Sequence, residues 1–76
     1  MKELLIFLAK SLTEHPEAVC VDETVDGDGT VVYDLTVSSG DMGRVIGKGG
    51  RIAKAIRTVM KSAAAREGKR IVVNIR

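Results

Sequence analysis

Apolar positions along this chain alternate between two periods. Leu4, Leu5, Leu8 and Leu12, with Phe7 beside them, recur every three or four residues and predict an amphipathic helix over residues 2–14. Pro16 stops it, because a proline pushes the residue before it out of the α region. From 18 to 26 the period becomes two, with Val19, Val21 and Val25 on one side and Cys20, Asp22 and Thr24 on the other, which reads as a strand. Asp26-Gly27-Asp28-Gly29 is turn chemistry. A second strand follows with Val31, Tyr33, Leu35 and Val37 on one face, so the two should pair as an antiparallel hairpin. Ser38-Ser39-Gly40-Asp41 breaks that strand and offers Asp41 as the N-cap of a short helix through Ile46. After a glycine-rich interruption, Ile52, Ala53, Ile56, Val59, Met60 and Ala63 lie along one side of a long helix ending near Gly68. Lys54, Arg57, Lys61 and Arg66 lie away from much of that stripe. Residues 70–75 close the chain as a strand with Ile71, Val73 and Ile75 on one face.

The predicted order is therefore α-β-β-α-α-β. The second and third strands are joined through two helices, a crossover long enough to make them parallel. An α+β fold results, with a three-stranded mixed sheet packed against three helices in two layers. Seventy-six residues leave room for one domain, taken as residues 1–76, and a core that supplies about 3–5 kcal/mol of net stability. No repeat or linker interrupts it.

Charge sharpens the picture. Residues 1–41 sum to −7 and residues 42–76 to +9, although the whole chain is only +2. Such asymmetry implies an anion-binding face, with nucleic acid the leading partner. A fold whose sheet side and helix side carry opposite charge by chance is the competing explanation. One cysteine, Cys20, cannot form an intramolecular disulfide, which favours an intracellular, cytoplasmic location. The opening MKELLIFLAK is interrupted by Lys10 and lacks a small-residue cleavage site, so it does not read as a signal peptide. No run approaches the roughly 20 apolar residues of a membrane span, so no membrane insertion is expected.

The most basic stretch, Arg44-Val45-Ile46-Gly47-Lys48-Gly49-Gly50-Arg51, is also the richest in glycine. A Walker A loop does not fit: Gly43 to Gly47 is too short a spacing, and Gly49 stands where Ser or Thr would hold magnesium. A dinucleotide fingerprint does not fit either, since Ile52 occupies the third glycine position and the motif follows a helix. A helix-loop-helix with G-x-x-G as its loop does fit. Absent side chains admit a sugar-phosphate backbone, free N–H groups at the next helix start favour anions, and Lys48 adds a cation. The bland alternative is a tight α-α turn whose glycines supply only positive φ, for which one glycine would suffice.

Val45-Ile46-Gly47-Lys48-Gly49-Gly50-Arg51-Ile52 resembles the V-I-G-x-x-G-x-x-I core of a KH RNA-binding domain, with Ile52 one place early for the last apolar position. The wider stretch DMGRVIGKGGRIAKAIRTVMKSAA resembles the small bacterial single-KH proteins of the KhpA type, and the element order matches the type II (prokaryotic) KH topology. KH domains hold about four single-stranded nucleotides, the G-x-x-G loop clamping the backbone. The resemblance thus implies single-stranded RNA as partner, Gly47, Lys48, Gly49 and Gly50 as the clamp, and Ile46, Ile52 and Ala53 as the apolar floor. It makes Ile56 a less certain floor residue. The second strand should give the opposite wall, with Val37 a candidate. Arg44, Arg51, Lys54 and Arg57 would attract phosphates, unless they form an ordinary solvated helix face. Many relatives carry a larger polar residue where this chain has Gly49. Proteins of this type pair with themselves or with a larger multidomain KH protein of the KhpB or Jag type, and act as chaperone-like RNA regulators linked to cell elongation and envelope homeostasis. A homodimer or such a heterodimer is therefore expected. The alternative is a protein-protein adaptor with little RNA specificity, assembling through a helix face such as that of Met60 and Ala64.

Little points to catalysis or cofactors. His15, beside Pro16, reads as a surface or capping residue, and Cys20 as a small, partly buried strand residue. No metal site is expected. Aligning Gly29 with the glycine of a calcium loop puts Thr24 first and Leu35 last, where acids are needed. With Phe7 and Tyr33 the only aromatics, an aromatic base-stacking platform is not expected.

Overall fold

The hairpin forms where the aspartate-glycine run predicts it. In the computed structural model, which describes residues 1–76, β1 (Cys20–Val25) and β2 (Val31–Thr36) pair antiparallel, Val21 opposite Leu35 and Val25 opposite Val31. Asp26 N–H donates to the Thr30 carbonyl at 2.8 Å, and Gly29 closes the turn at φ 88°. Thr30 N–H donates to Asp28 Oδ1 at 3.0 Å, a bond that holds the Asp28 carboxyl below its ordinary range. α1 (Lys2–Leu12) precedes the hairpin; α2 (Met42–Ile46), α3 (Arg51–Arg66) and β3 (Ile71–Ile75) follow it. β3 pairs parallel to β2, Tyr33 opposite Val73, giving the sheet order β1-β2-β3. The α-β-β-α-α-β order and mixed sheet are those the periodicity predicts.

One face of the sheet carries the core. Val21, Tyr33, Leu35, Ile71 and Val73 point toward the helices and meet Leu5 and Ala9 of α1, Val45 of α2, and Ile56, Met60 and Ala64 of α3. Leu5, Leu35, Val45 and Met60 are completely enclosed, each worth roughly 1.5–3 kcal/mol of burial. The other face, with Cys20, Asp22, Thr24, Thr36 and Val72, is exposed. Two expectations fail here. Cys20 is exposed rather than partly buried, because its parity puts it on the open face. Val25 is 64% exposed, because β1 beyond Val21 runs past the helices that would cover it.

The junction after α1 also departs from expectation. The helix ends at Leu12, Thr13 is already extended, and Pro16 opens a separate 3-10 turn over Pro16–Ala18. Asp41 stands at the N-cap position of α2, yet its side chain caps nothing there. It is 1% exposed, and its carboxylate accepts from the backbone N–H of Glu14 at 3.1 Å and of His15 at 3.0 Å. His15 Nδ1 lies 3.4 Å from the same carboxylate. An acid expected to start one helix instead fixes the chain leaving another.

Candidate nucleic-acid interface

The glycine cluster separates α2 from α3 as expected. Gly47 N–H donates to the Gly43 carbonyl at 2.8 Å, ending α2, and Gly47 leaves the helix at φ 76°, ψ 172°. Lys48–Gly50 make one 3-10 turn, closed by Gly50 N–H on the Gly47 carbonyl at 3.1 Å. Gly49 and Gly50 sit at φ 65° and 78°. All three glycines thus occupy the left-handed half of backbone space, so the turn itself uses three of them, not one. They differ in what surrounds them. A Cβ on Gly47 would lie 2.4 Å from Ile52 Cγ1 and 2.9 Å from Ile52 N, so the Ile52 side chain occupies that space. A Cβ on Gly49 or Gly50 would meet nothing within 4 Å. The outer rim of the turn is open, but Arg51 N–H, the first of α3, donates back to the Lys48 carbonyl, so the free donors expected at this helix start do not include it.

The charged residues divide into committed and free. Lys48, Arg51 and Lys54 are exposed and join no salt bridge. Arg44 is not free: its Nη2 pairs with Glu14 and its Nε lies 3.5 Å from Asp41. Arg57 Nε donates to the Val73 carbonyl at 3.1 Å, tying α3 to β3. Among the apolar positions, Ile46 is 36% exposed at the lip of the loop, and Ile52 packs partly buried under Gly47. Ala53 is 5% exposed and offers little surface of its own, while Ile56 belongs to the core. Val37 is buried in the core, because it continues the inward face of β2, so it cannot line an opposite wall. β2 is the central strand; the strand with a free edge on the α3 side is β3, where Arg57 reaches Val73.

The loop geometry and the fold together match one known domain. A family model described as the KH domain of KhpA and KhpB matches residues 2–75. The chain belongs to this KhpA/KhpB family. The chain is 56% identical over 75 residues to the RNA-binding protein KhpA of Clostridium perfringens, covering 99% of each. It is 45% identical to that of Chlamydia muridarum, over 99% of this chain and 95% of the relative, and 47% identical to that of Listeria monocytogenes, over 99% and 97%. A crystal structure of Era in complex with MgGDPNP and nucleotides 1506–1542 of 16S ribosomal RNA superposes with a TM-score of 0.66 at 18% identity, covering 97% of this chain and 28% of that one. At that identity the likeness concerns the fold alone. The KhpA proteins are named for RNA binding. No helix is long and apolar enough to cross a membrane.

Sequence reasoning missed the Asp41 anchor. The Asp41–Arg44 spacing is a recognisable i,i+3 pair, but the link to Glu14 and His15 spans 26 to 30 residues and carries no local signal.

Proposed function

We propose that this chain is a single KH domain, residues 1–76, that binds single-stranded RNA with Gly47-Lys48-Gly49-Gly50 as the phosphate clamp. The observation that carries this is the open rim at Gly49 and Gly50, bordered by three unpaired cations, Lys48, Arg51 and Lys54. Ile46 and Ile52 give the apolar edge on which bases lie, with Ala53 packed behind them. Arg44 acts indirectly here, holding α2 against the end of α1. The naming of its KhpA relatives for RNA binding supports the reading. As in the family it resembles, the protein serves as a cytoplasmic RNA chaperone or post-transcriptional regulator linked to cell elongation and envelope homeostasis. Fluorescence anisotropy with single-stranded RNA tests the clamp. The double change Lys48→Asp, Gly49→Asp is expected to weaken binding by about tenfold or more. Equal affinity at low salt, with unchanged circular dichroism, would sink it.

A second reading, pairing with another KH subunit, rests on a surface that shares only Ile52 with the clamp and its apolar edge. Met60 and Ala64 are core residues and cannot carry an interface. Between α1 and α3, however, Phe7, Leu8, Leu12, Ile52, Ala55 and Val59 line an open groove of about 280 Å³. Phe7 is 66% and Val59 44% exposed. A second copy, or the KH domain of a larger KhpB or Jag-type protein, fits such a face, and two short RNA grooves would then act together. Analytical ultracentrifugation of the wild type and of Val59→Glu checks it: an assembly that dissociates in the variant is expected, and a strict wild-type monomer that captures no KH partner would exclude it.

A further inference from the structure

A basic stripe leads away from the glycine loop. Lys54, Arg57 and Lys61 follow one another at helical spacing on α3, in register with Gly50 at its N-cap, and therefore share a face. Arg57 shows which way that face looks, since its Nε reaches the Val73 carbonyl of β3. At 1.5 Å per residue, Lys61 lies roughly 16 Å along the helix from Gly50. There the stripe opens into a cleft of about 400 Å³ between the second half of α3 and the start of β3. Its cations are Lys61, Lys69 and Arg70; Thr30 adds a hydroxyl, and Val72, 42% exposed, adds apolar surface.

We propose that this cleft is a second phosphate-binding site, which takes the RNA chain on beyond the nucleotides held at the glycine clamp. The proposal rests on the single-stranded RNA reading above. The acids nearby do not close the cleft. Glu67 lies 3.4 Å from Lys69 and Asp28 3.8 Å from Arg70, but every partner in these pairs is at least half exposed. Such pairs contribute about 0–1 kcal/mol and exchange readily for a phosphate, which offers arginine a two-pronged acceptor. Lys61 has no acidic partner at all. At the carbonyl end of α3, Ala64 accepts from the N–H groups of Glu67 and Lys69 and Ala65 from that of Gly68, which blunts the repulsion of an anion by these two carbonyls. A polyanion is favoured over an apolar peptide because the stripe is continuous in charge from the clamp to the cleft.

The test compares oligonucleotides of about four and about ten residues, by anisotropy across a salt series. In the wild type the longer RNA is expected to bind on the order of tenfold more tightly. The triple variant Lys61→Gln, Lys69→Gln, Arg70→Gln should keep the short-RNA affinity and lose that gain. Its salt slope for the longer RNA should be shallower by about 2, at roughly 0.7 for each phosphate that is no longer neutralised. The control Lys2→Gln, Lys10→Gln, Arg66→Gln removes equal charge elsewhere and should keep the gain. A wild type indifferent to length, or a control that loses as much as the cleft variant, overturns the second site while leaving the clamp standing. No binding of either RNA overturns both.

Discussion

At the scale of single residues, Gly47 and Gly50 look equivalent in the motif and are not equivalent in the molecule. Both need positive φ, but only Gly47 has a neighbour in the space of its missing side chain. Gly50→Ala should therefore cost about 1–2 kcal/mol from backbone strain alone. Gly47→Ala adds the collision with Ile52 and should cost about 3 kcal/mol or more. Urea unfolding of both variants checks the order, and equal losses would contradict the role given to Ile52. Gly49, like Gly50, has open space where its side chain would stand but sits at φ 65°, so a side chain there meets backbone strain rather than a collision and projects from the rim facing the ligand.

Among the elements, α2 is the shortest helix and depends on its neighbours. Asp41 holds the segment that leaves α1, and Arg44 joins the same group through Asp41 and Glu14. Asp41→Ala would strand two backbone donors and should destabilise the fold by about 3 kcal/mol. Amide exchange at Glu14 and His15 should quicken more than at Ala9, in the interior of α1. A uniform change along α1 would argue against a local anchor. In α3, Met60 is fully enclosed, and Met60→Ala should cost about 2–5 kcal/mol. That is comparable to the total stability of a domain this small, so circular dichroism should show a largely unfolded chain.

For the whole molecule, charge and burial set the response to solution conditions. Three free cations at the clamp predict a slope near −2 in log affinity against log salt for an RNA long enough only for the clamp, at about 0.7 per phosphate. Titration at several salt concentrations measures it. Burial, assisted by the negative charge of Glu23, raises the Tyr33 phenol above its ordinary value of 10.0. The folded state therefore holds that proton more tightly than the unfolded chain. The stabilisation is fully present below the unfolded value and is lost as pH rises through the raised folded value. Stability should fall above about pH 10, and Tyr33→Phe should flatten that alkaline decline in thermal unfolding scans.

Periodicity was enough for the order of elements, the parallel crossover and the inward faces of β2 and β3, because each depends on which side of one element meets water. The glycine cluster was equally legible, since its spacing is local and its basic neighbours are adjacent. Tertiary structure alone decided what the charged residues do. Arg44 and Arg57 look like Lys48 and Lys54 along the chain, yet folding brings Glu14 and Asp41 to the first and a strand carbonyl to the second. It also decided which valines are covered: Val37 is enclosed and Val25 exposed, though both follow the same alternation. The reason is the same in each case. Alternation fixes the direction of a side chain, whereas its partner comes from an element that packs against it, and such contacts are distant in sequence.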